Sequence, residues 1–140
     1  MPAVLLDTNI LVYAYAEGAA DARTAKAREF IAAVSRAGTG CVAVQNLAEF
    51  SSFCLYKARP AVAPVQVTDW VHKLSGVLVV LRPSAQTVTL ALSAVERHGM
   101  SFWDAMLWAV AKENEVTEIG TEDYQDGRLV EGVRFRNPLR

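Results

Sequence analysis

The chain has 140 residues, of which 52% are hydrophobic, and its formal net charge is -1. This length predicts a single domain over residues 1–140, and the apolar content excludes an intrinsically disordered chain. The balance of charges excludes nucleic-acid binding that depends on an overall positive charge.

The predicted elements alternate between strands and helices along the chain. Short apolar runs predict strands over residues 4–6, 41–44, 77–81, 118–121 and 133–135. Apolar side chains at helical spacing predict helices over residues 10–16, 22–36, 46–58, 65–75, 84–98 and 102–114. Breaks are predicted at residues 18–21 and 122–127. This alternation predicts an α/β fold with a parallel sheet and helices on both faces.

The two cysteines and the absence of targeting signals predict a compartment. Cys41 and Cys54 lie in apolar patterns and are expected to be free, buried thiols of a reducing environment. No apolar run approaches the roughly 20 residues that a membrane span needs. The first residues lack the basic region and cleavage site of a signal peptide. We therefore expect a cytoplasmic protein that does not contact a membrane.

Acidic residues recur where predicted strands end or where the following helices begin. Parallel strands bring these places to one end of the sheet, where ligands bind in such folds. Clustered carboxylates raise each other's pKa unless a cation compensates their charge, and oxygen donors favour Mg²⁺ or Mn²⁺. The candidate metal ligands are Asp7, Glu49, Asp104 and Asp123, with Glu122 and Asp126 beside the last and with Asn9 and Thr121 in supporting positions.

Each of these acids also fits a purely structural role. Asp7 can cap the helix that follows it, and Glu49 and Asp104 fit capping boxes at helix starts. Asp123 and Asp126 are ordinary turn residues. Asp104 is the hardest to explain in this way, because it is the one charged residue between positions 99 and 111 and its unpaired burial is costly.

The ordered set of motifs resembles the PIN-domain ribonucleases. The motifs are Asp7-Thr8-Asn9 after a strand, Glu49 on a helix, Ser101-Phe102-Trp103-Asp104-Ala105 at a helix start and Thr121-Glu122-Asp123 after a short strand. The set is most similar to the VapC-type toxins of toxin–antitoxin pairs and spans essentially the whole chain. The resemblance implies a three-layer α/β/α sandwich around a parallel sheet of four to five strands.

The same resemblance implies a function. It implies a homodimer that cleaves RNA endonucleolytically with Mg²⁺ or Mn²⁺, through metal-activated water, and that a cognate antitoxin inhibits. By position, Asp7, Glu49 and Asp104 match the three core acids of the family. Asp123 best matches the fourth acid, and Glu122 and Asp126 are the alternatives.

Two surfaces are predicted beside the acidic site. Residues 10–16 are expected to line an antitoxin groove together with Phe50, Phe53, Leu55 and Tyr56, whose alternative role is core packing. Four arginines crowd the last thirteen residues: Arg128, Arg134, Arg136 and Arg140. They predict a basic patch for a phosphate backbone, a solvated tail, or positive charges near the acidic pocket that offset its repulsion of an anionic substrate.

Other function classes fit the sequence less well. A haloacid dehalogenase-type phosphatase needs a second Asp where Asn9 stands, and a receiver domain needs an Asp after the third strand, where Arg82 follows Leu81. His72 and His98 lie outside the motifs and are expected to be structural. An RNA-processing nuclease without an antitoxin, and an inactive RNA- or protein-binding module, remain the alternatives.

Overall fold

The computed structural model describes residues 2–16 and 21–140. Within them it contains six strands and six helices. The strands are β1 Val4–Leu6, β2 Gly40–Ala43, β3 Val79–Leu81, β4 Glu118–Gly120, β5 Leu129–Val130 and β6 Val133–Arg136. The helices are α1 Thr8–Tyr15, α2 Ala22–Ala37, α3 Val44–Tyr56, α4 Pro64–Val77, α5 Ala85–His98 and α6 Phe102–Glu113. Most of the predicted break at residues 18–21 lies outside the described residues.

The strands form one sheet in the order β3-β2-β1-β4-β6-β5. All neighbouring pairs are parallel except β5 and β6, which pair antiparallel with Val130 opposite Val133. The α/β class is confirmed, and the strand count of four to five is corrected to six. Glu131 and Gly132 join β5 to β6 with φ values of 46° and 85°, the left-handed backbone that tight hairpins require.

Side chains alternate between two cores, one on each face of the sheet. Leu5 packs in the core formed with α5 and α6, whereas its neighbour Leu6 packs in the core formed with α1, α2, α3 and α4. This alternation is the two-residue period of a strand. The result is the expected three-layer α/β/α sandwich. No helix within residues 2–16 or 21–140 has both the length and the apolar character needed to cross a membrane.

Two helices begin two residues earlier than the sequence predicts. Asp7 is the N-cap of α1, and its carboxylate accepts a hydrogen bond from the Thr8 N–H, so that the helix starts directly after β1. The predicted end of the second strand, Val44, is instead the first residue of α3. Both helices therefore start at the carboxyl edge of the sheet.

Candidate functional site

A cavity of about 450 Å³ lies where β1 and β4 end and where α1, α3 and α6 begin. Four of the predicted acids come from four separate segments of the chain and meet in its lining: Asp7, Glu49, Asp104 and Asp123. Glu122 and Asn9 also line the cavity, whereas Asp126 is not among its lining residues. The fold thus brings together acids that are up to 116 residues apart in sequence.

Asp7 is the most strongly perturbed acid of the cavity. Burial raises the pKa of its carboxyl group to about 6, and the charges of Asp123 and Glu49 act in the same direction. Hydrogen bonds from the Thr121 hydroxyl, at 2.7 Å, and from the Thr8 N–H, also at 2.7 Å, oppose this rise in pKa. The hydrogen-bond donors therefore hold the carboxyl group in place, while burial and the neighbouring charges make its ionisation less favourable.

Thr121 links three parts of the site. Its hydroxyl donates to Asp7 and accepts from the Asp123 N–H at 3.1 Å and from the Asn9 amide at 3.5 Å. The side chain is almost fully buried, with 2% of its surface exposed. The Asn9 carbonyl oxygen in turn accepts a hydrogen bond from the Glu122 N–H at 3.3 Å. Asn9 and Thr121 thus tie the start of α1 to the loop after β4.

Glu49 is oriented by Thr8, a residue for which no separate role was predicted. The Thr8 hydroxyl donates to the Glu49 carboxylate at 3.0 Å, and the Asn46 amide donates to the Thr8 hydroxyl at 3.2 Å. Asn46 is 1% exposed, and its oxygen accepts from the Ala43 N–H at 3.1 Å. Glu49 does not form the predicted capping box, because α3 begins at Val44 and Asn46 makes the return contact. The polar triplet after β1 was the sequence signal for Thr8.

Asp104 lies in the first turn of α6 and is half-buried. The Ser101 hydroxyl donates to its carboxylate at 2.6 Å. Ser101 makes no side-chain hydrogen bond to the helix backbone, so this pair is not the capping box that the sequence suggests. Its neighbour Trp103 also lines the cavity and keeps 61% of its surface exposed.

The candidates for the fourth acid differ in their surroundings. The Glu122 carboxylate accepts from the Tyr13 hydroxyl at 2.7 Å, and Arg23 lies 3.6 Å away. The Asp126 carboxylate accepts from the Asn137 N–H at 2.8 Å. Asp123 reaches the cavity, and its N–H is fixed by Thr121. Of the three, Asp123 is the one whose charge adds to the pKa rise of Asp7.

The chemistry of the cavity fits a hard divalent cation. Apart from the Tyr13 phenol, its ionisable lining groups are carboxylates, and Thr8, Asn9, Gln45 and Asn46 carry further side-chain oxygens. In the described ranges no three His, Cys, Asp or Glu side chains lie close enough together to hold a metal ion as they stand. Oxygen donors are the ligands that such a cation prefers, and its charge would offset the repulsion that helps to raise the pKa of Asp7. The carboxylates are spread around the cavity wall.

The four C-terminal arginines do not line the cavity. Arg128 donates to the His98 carbonyl and Arg134 to the Gly127 carbonyl. Arg136 donates to the Glu118 carboxylate and Arg140 to the Asp126 carboxylate. Arg136 and Arg140 keep 59% and 73% of their side chains exposed, so their charges still face solvent.

The side chains predicted to line an antitoxin groove have different surroundings. Phe50 is fully buried and contacts Tyr15 and Trp70, with ring centroids 5.9 and 6.2 Å away. Phe53 lines the acidic cavity, and Tyr56 is 73% exposed. Core packing, the alternative stated for these residues, is the observed role of Phe50.

Comparison with protein families identifies the fold. The family model described as PIN domain matches residues 4–129. No curated protein sequence matches the chain.

Solved structures share the architecture over nearly the whole chain. Mycobacterium tuberculosis VapC20, described as a sarcin–ricin loop cleaving toxin, is 23% identical over 94% of this chain and 99% of its own, with a TM-score of 0.68. A toxin–antitoxin complex from Klebsiella pneumoniae is 16% identical over 97% of this chain and 98% of its own matched chain, with a TM-score of 0.70. The DNA-bound VapBC of Salmonella typhimurium is 19% identical over 99% of both chains, with a TM-score of 0.65.

Proposed function

The chain belongs to the PIN-domain family, and from this premise we propose that it is a metal-dependent endoribonuclease that acts as the toxin of a toxin–antitoxin pair. The observation that carries the proposal is the convergence of Asp7, Glu49, Asp104 and Asp123 on one cavity. A purely structural role for each acid gives no reason why four separate segments of the chain place carboxylates around the same cavity. A shared cation gives that reason.

We assign the four carboxylates as the ligands of Mg²⁺ or Mn²⁺. When bound, such a cation lowers the pKa of a coordinated water and neutralises charge that develops on the scissile phosphate. The protein supplies the orientation of the ligands: Thr121 holds Asp7, Thr8 holds Glu49, and Ser101 holds Asp104. Such fixed second partners are what keep metal ligands in position.

Asp7 is the acid most dependent on the cation in this proposal. Its raised pKa means that the metal-free carboxyl group is partly protonated near neutral pH. Loss of that proton favours cation binding, because the deprotonated carboxylate is the ligand. The neighbouring charges of Asp123 and Glu49 oppose this ionisation until a cation compensates them.

Two partners accompany the proposed activity. Toxin–antitoxin complexes are among the structures that share this fold, which supports a cognate antitoxin as a partner of this chain. We also propose a homodimer and a cytoplasmic location, as the family resemblance and the reduced cysteines predict. Light scattering of the purified chain, alone and with a co-expressed candidate antitoxin, measures both associations.

The test is cleavage of a labelled RNA pool by purified protein with Mg²⁺ or Mn²⁺ and with EDTA. We expect cleavage that requires the metal and that Asp7→Asn and Asp104→Asn abolish. Asparagine at position 7 keeps a side-chain oxygen that can cap α1, so the variant is expected to fold. Asp69→Asn is the matched control, because Asp69 is an exposed acid on α4 that pairs with Lys73. Full activity in the Asp7 and Asp104 variants would refute the assignment.

A further inference from the structure

Trp103 is the one of three tryptophans that the fold leaves largely uncovered. Trp108 is fully buried and donates to the Val130 carbonyl at 3.0 Å, and Trp70 packs against Tyr15 with ring centroids 5.5 Å apart. Trp103 keeps 61% of its surface exposed, and its ring contacts Phe102 edge to face, with centroids 5.0 Å apart. A single exposed apolar side chain is common on protein surfaces, so a role for Trp103 depends on where it lies.

The position of Trp103 connects it to the proposed chemistry. It precedes Asp104 in the first turn of α6, and both residues line the acidic cavity. Among the exposed large hydrophobic side chains of the described residues, Trp103 is the one that lines this cavity. The other apolar and aromatic lining residues, Val12, Tyr13, Phe53 and Leu107, are buried or half-buried, so Trp103 is the lining ring that solvent reaches most freely beside the carboxylates.

The charge of the cavity sets a problem for an RNA substrate. Among the residues that the structure describes, those that line the cavity include five carboxylates and neither lysine nor arginine. A phosphate backbone therefore finds no side-chain cation in the lining, although phosphate contacts usually provide most of the affinity for nucleic acid. Stacking of a base on an aromatic ring adds affinity without any positive charge, and every base has a face that can stack.

We propose that Trp103 is a stacking platform for the RNA base next to the phosphodiester bond that is cleaved. This inference rests on the proposed ribonuclease function and adds a substrate-contacting residue to it. Stacking on the exposed indole face holds the nucleotide beside Asp104 while the phosphate enters the acidic cavity. Because stacking tolerates all bases, Trp103 positions the substrate rather than selecting its sequence.

The experiment separates RNA binding from cleavage. Binding of a fluorescein-labelled single-stranded RNA, which carries the cleavage site mapped in the RNA-pool assay, is measured by anisotropy in the non-cleaving Asp7→Asn background. We expect Trp103→Ala to weaken binding about 10- to 100-fold and Trp103→Phe to retain most of the affinity. In the active protein, Trp103→Ala is expected to raise KM more than it lowers kcat.

A matched variant and a modified substrate control for other causes. Leu92 on α5 is also a large apolar side chain, 53% exposed and absent from the cavity lining, and Leu92→Ala is expected to bind RNA like the parent. An RNA that lacks the base beside the cleavage site should bind the parent protein more weakly than the intact RNA does. The Trp103→Ala variant should bind both RNAs with the same reduced affinity. This non-additivity identifies the pair that interacts.

The outcomes distinguish the stacking proposal from the ribonuclease proposal. A wild-type protein that neither binds nor cleaves RNA overturns both. If the wild-type protein cleaves RNA, and folded Trp103→Ala and Trp103→Phe bind RNA as tightly as the parent, the stacking role alone is overturned. Unchanged RNA binding with loss of self-association or antitoxin binding would assign Trp103 to a protein interface instead.

Discussion

At the residue scale, Asp7 combines a structural role with a proposed chemical one. The same carboxylate caps α1 and faces two other acids across the cavity. Its pKa of about 6, against an ordinary value of 3.8, means that the folded protein holds the Asp7 proton more tightly than the unfolded chain does. Asp7 therefore favours folding below its unfolded pKa, and this contribution is lost as the pH rises through about 6.

This shift predicts a pH-dependent stability in metal-free protein. Asp7→Asn is expected to remove the part of this dependence that comes from Asp7 and to raise the free energy of unfolding at neutral pH by up to about 3 kcal/mol. Urea unfolding in EDTA, at pH values below and above the two pKa values, measures the effect. The Asp69→Asn control should keep the pH profile of the wild type. Identical profiles for wild type and Asp7→Asn would contradict the assigned pKa.

The identity of the fourth acid is a second prediction at this scale. Glu122 and Asp126 are bound to groups of the protein outside the acid cluster, whereas Asp123 approaches Asp7. We expect Asp123→Asn to lower kcat by more than about tenfold and to exceed the effects of Glu122→Gln and Asp126→Asn. Metal-dependent cleavage by the three purified variants decides the matter, and a larger loss in Glu122→Gln or Asp126→Asn would reassign the ligand.

The sequence located the acids better than it located their partners. Asp7, Glu49 and Asp104 could be found because each follows a recognisable strand end or helix start. For Thr8 the polar triplet after β1 was the one signal, because its hydroxyl acts on a carboxylate 41 residues away and this contact exists only in the folded chain. Ser101 was placed in one motif with Asp104, but its hydroxyl contacts that carboxylate and not the helix backbone. Among the three acids near position 123, composition alone gives no basis for a choice.

At the element scale, β2 packs closely against α2 and the end of α4. A Cβ atom on Gly40 would lie 2.6 Å from Leu78 Cδ2 and 2.7 Å from Val34 Cγ2. Gly40→Ala is therefore expected to lower the free energy of unfolding by about 1–3 kcal/mol through overpacking.

The matched control for this prediction is Gly76→Ala. Gly76 lies in α4, and a Cβ atom there would meet nothing within 4 Å. Alanine at this helical position should raise the free energy of unfolding by about 0.5–1 kcal/mol. Denaturant unfolding of both variants tests the contrast, and a Gly40→Ala protein as stable as the wild type would show that Leu78 and Val34 can move aside.

The longer and more periodic elements were the ones that the sequence predicted. All six helices were found, because each repeats apolar residues over two or more turns. β5 was missed, since two residues carry no period. Its signal was the pair Glu131-Gly132 between apolar residues, a hairpin pattern that the antiparallel pairing of β5 and β6 explains.

At the scale of the whole molecule, cation binding and folding are linked in the proposed function. A ligand that binds the folded chain alone stabilises it, by about 2.7 kcal/mol at one hundred times its Kd. We expect Mn²⁺ to raise the Tm of the wild type and of Asp69→Asn, and to raise that of Asp7→Asn much less. Calorimetry with and without EDTA makes the comparison. Equal Tm shifts in all three proteins would place the cation elsewhere.

The central strand β1 has a consequence for how sequence changes in this protein will be tolerated. Its three residues lie between β2 and β4, send Leu5 and Leu6 into opposite cores, and end at Asp7. Insertion or deletion of one residue here would move side chains of β1 to the opposite faces of the sheet. The same change would displace the Asp7 carboxylate from the cavity. A mutational screen for loss of the proposed toxicity would therefore recover variants of β1 and Asp7 of two kinds, unfolded and inert. Abundance measurements would separate them, and the inert variants at an intact protein level should be those that keep a capping oxygen at position 7, such as Asp7→Asn.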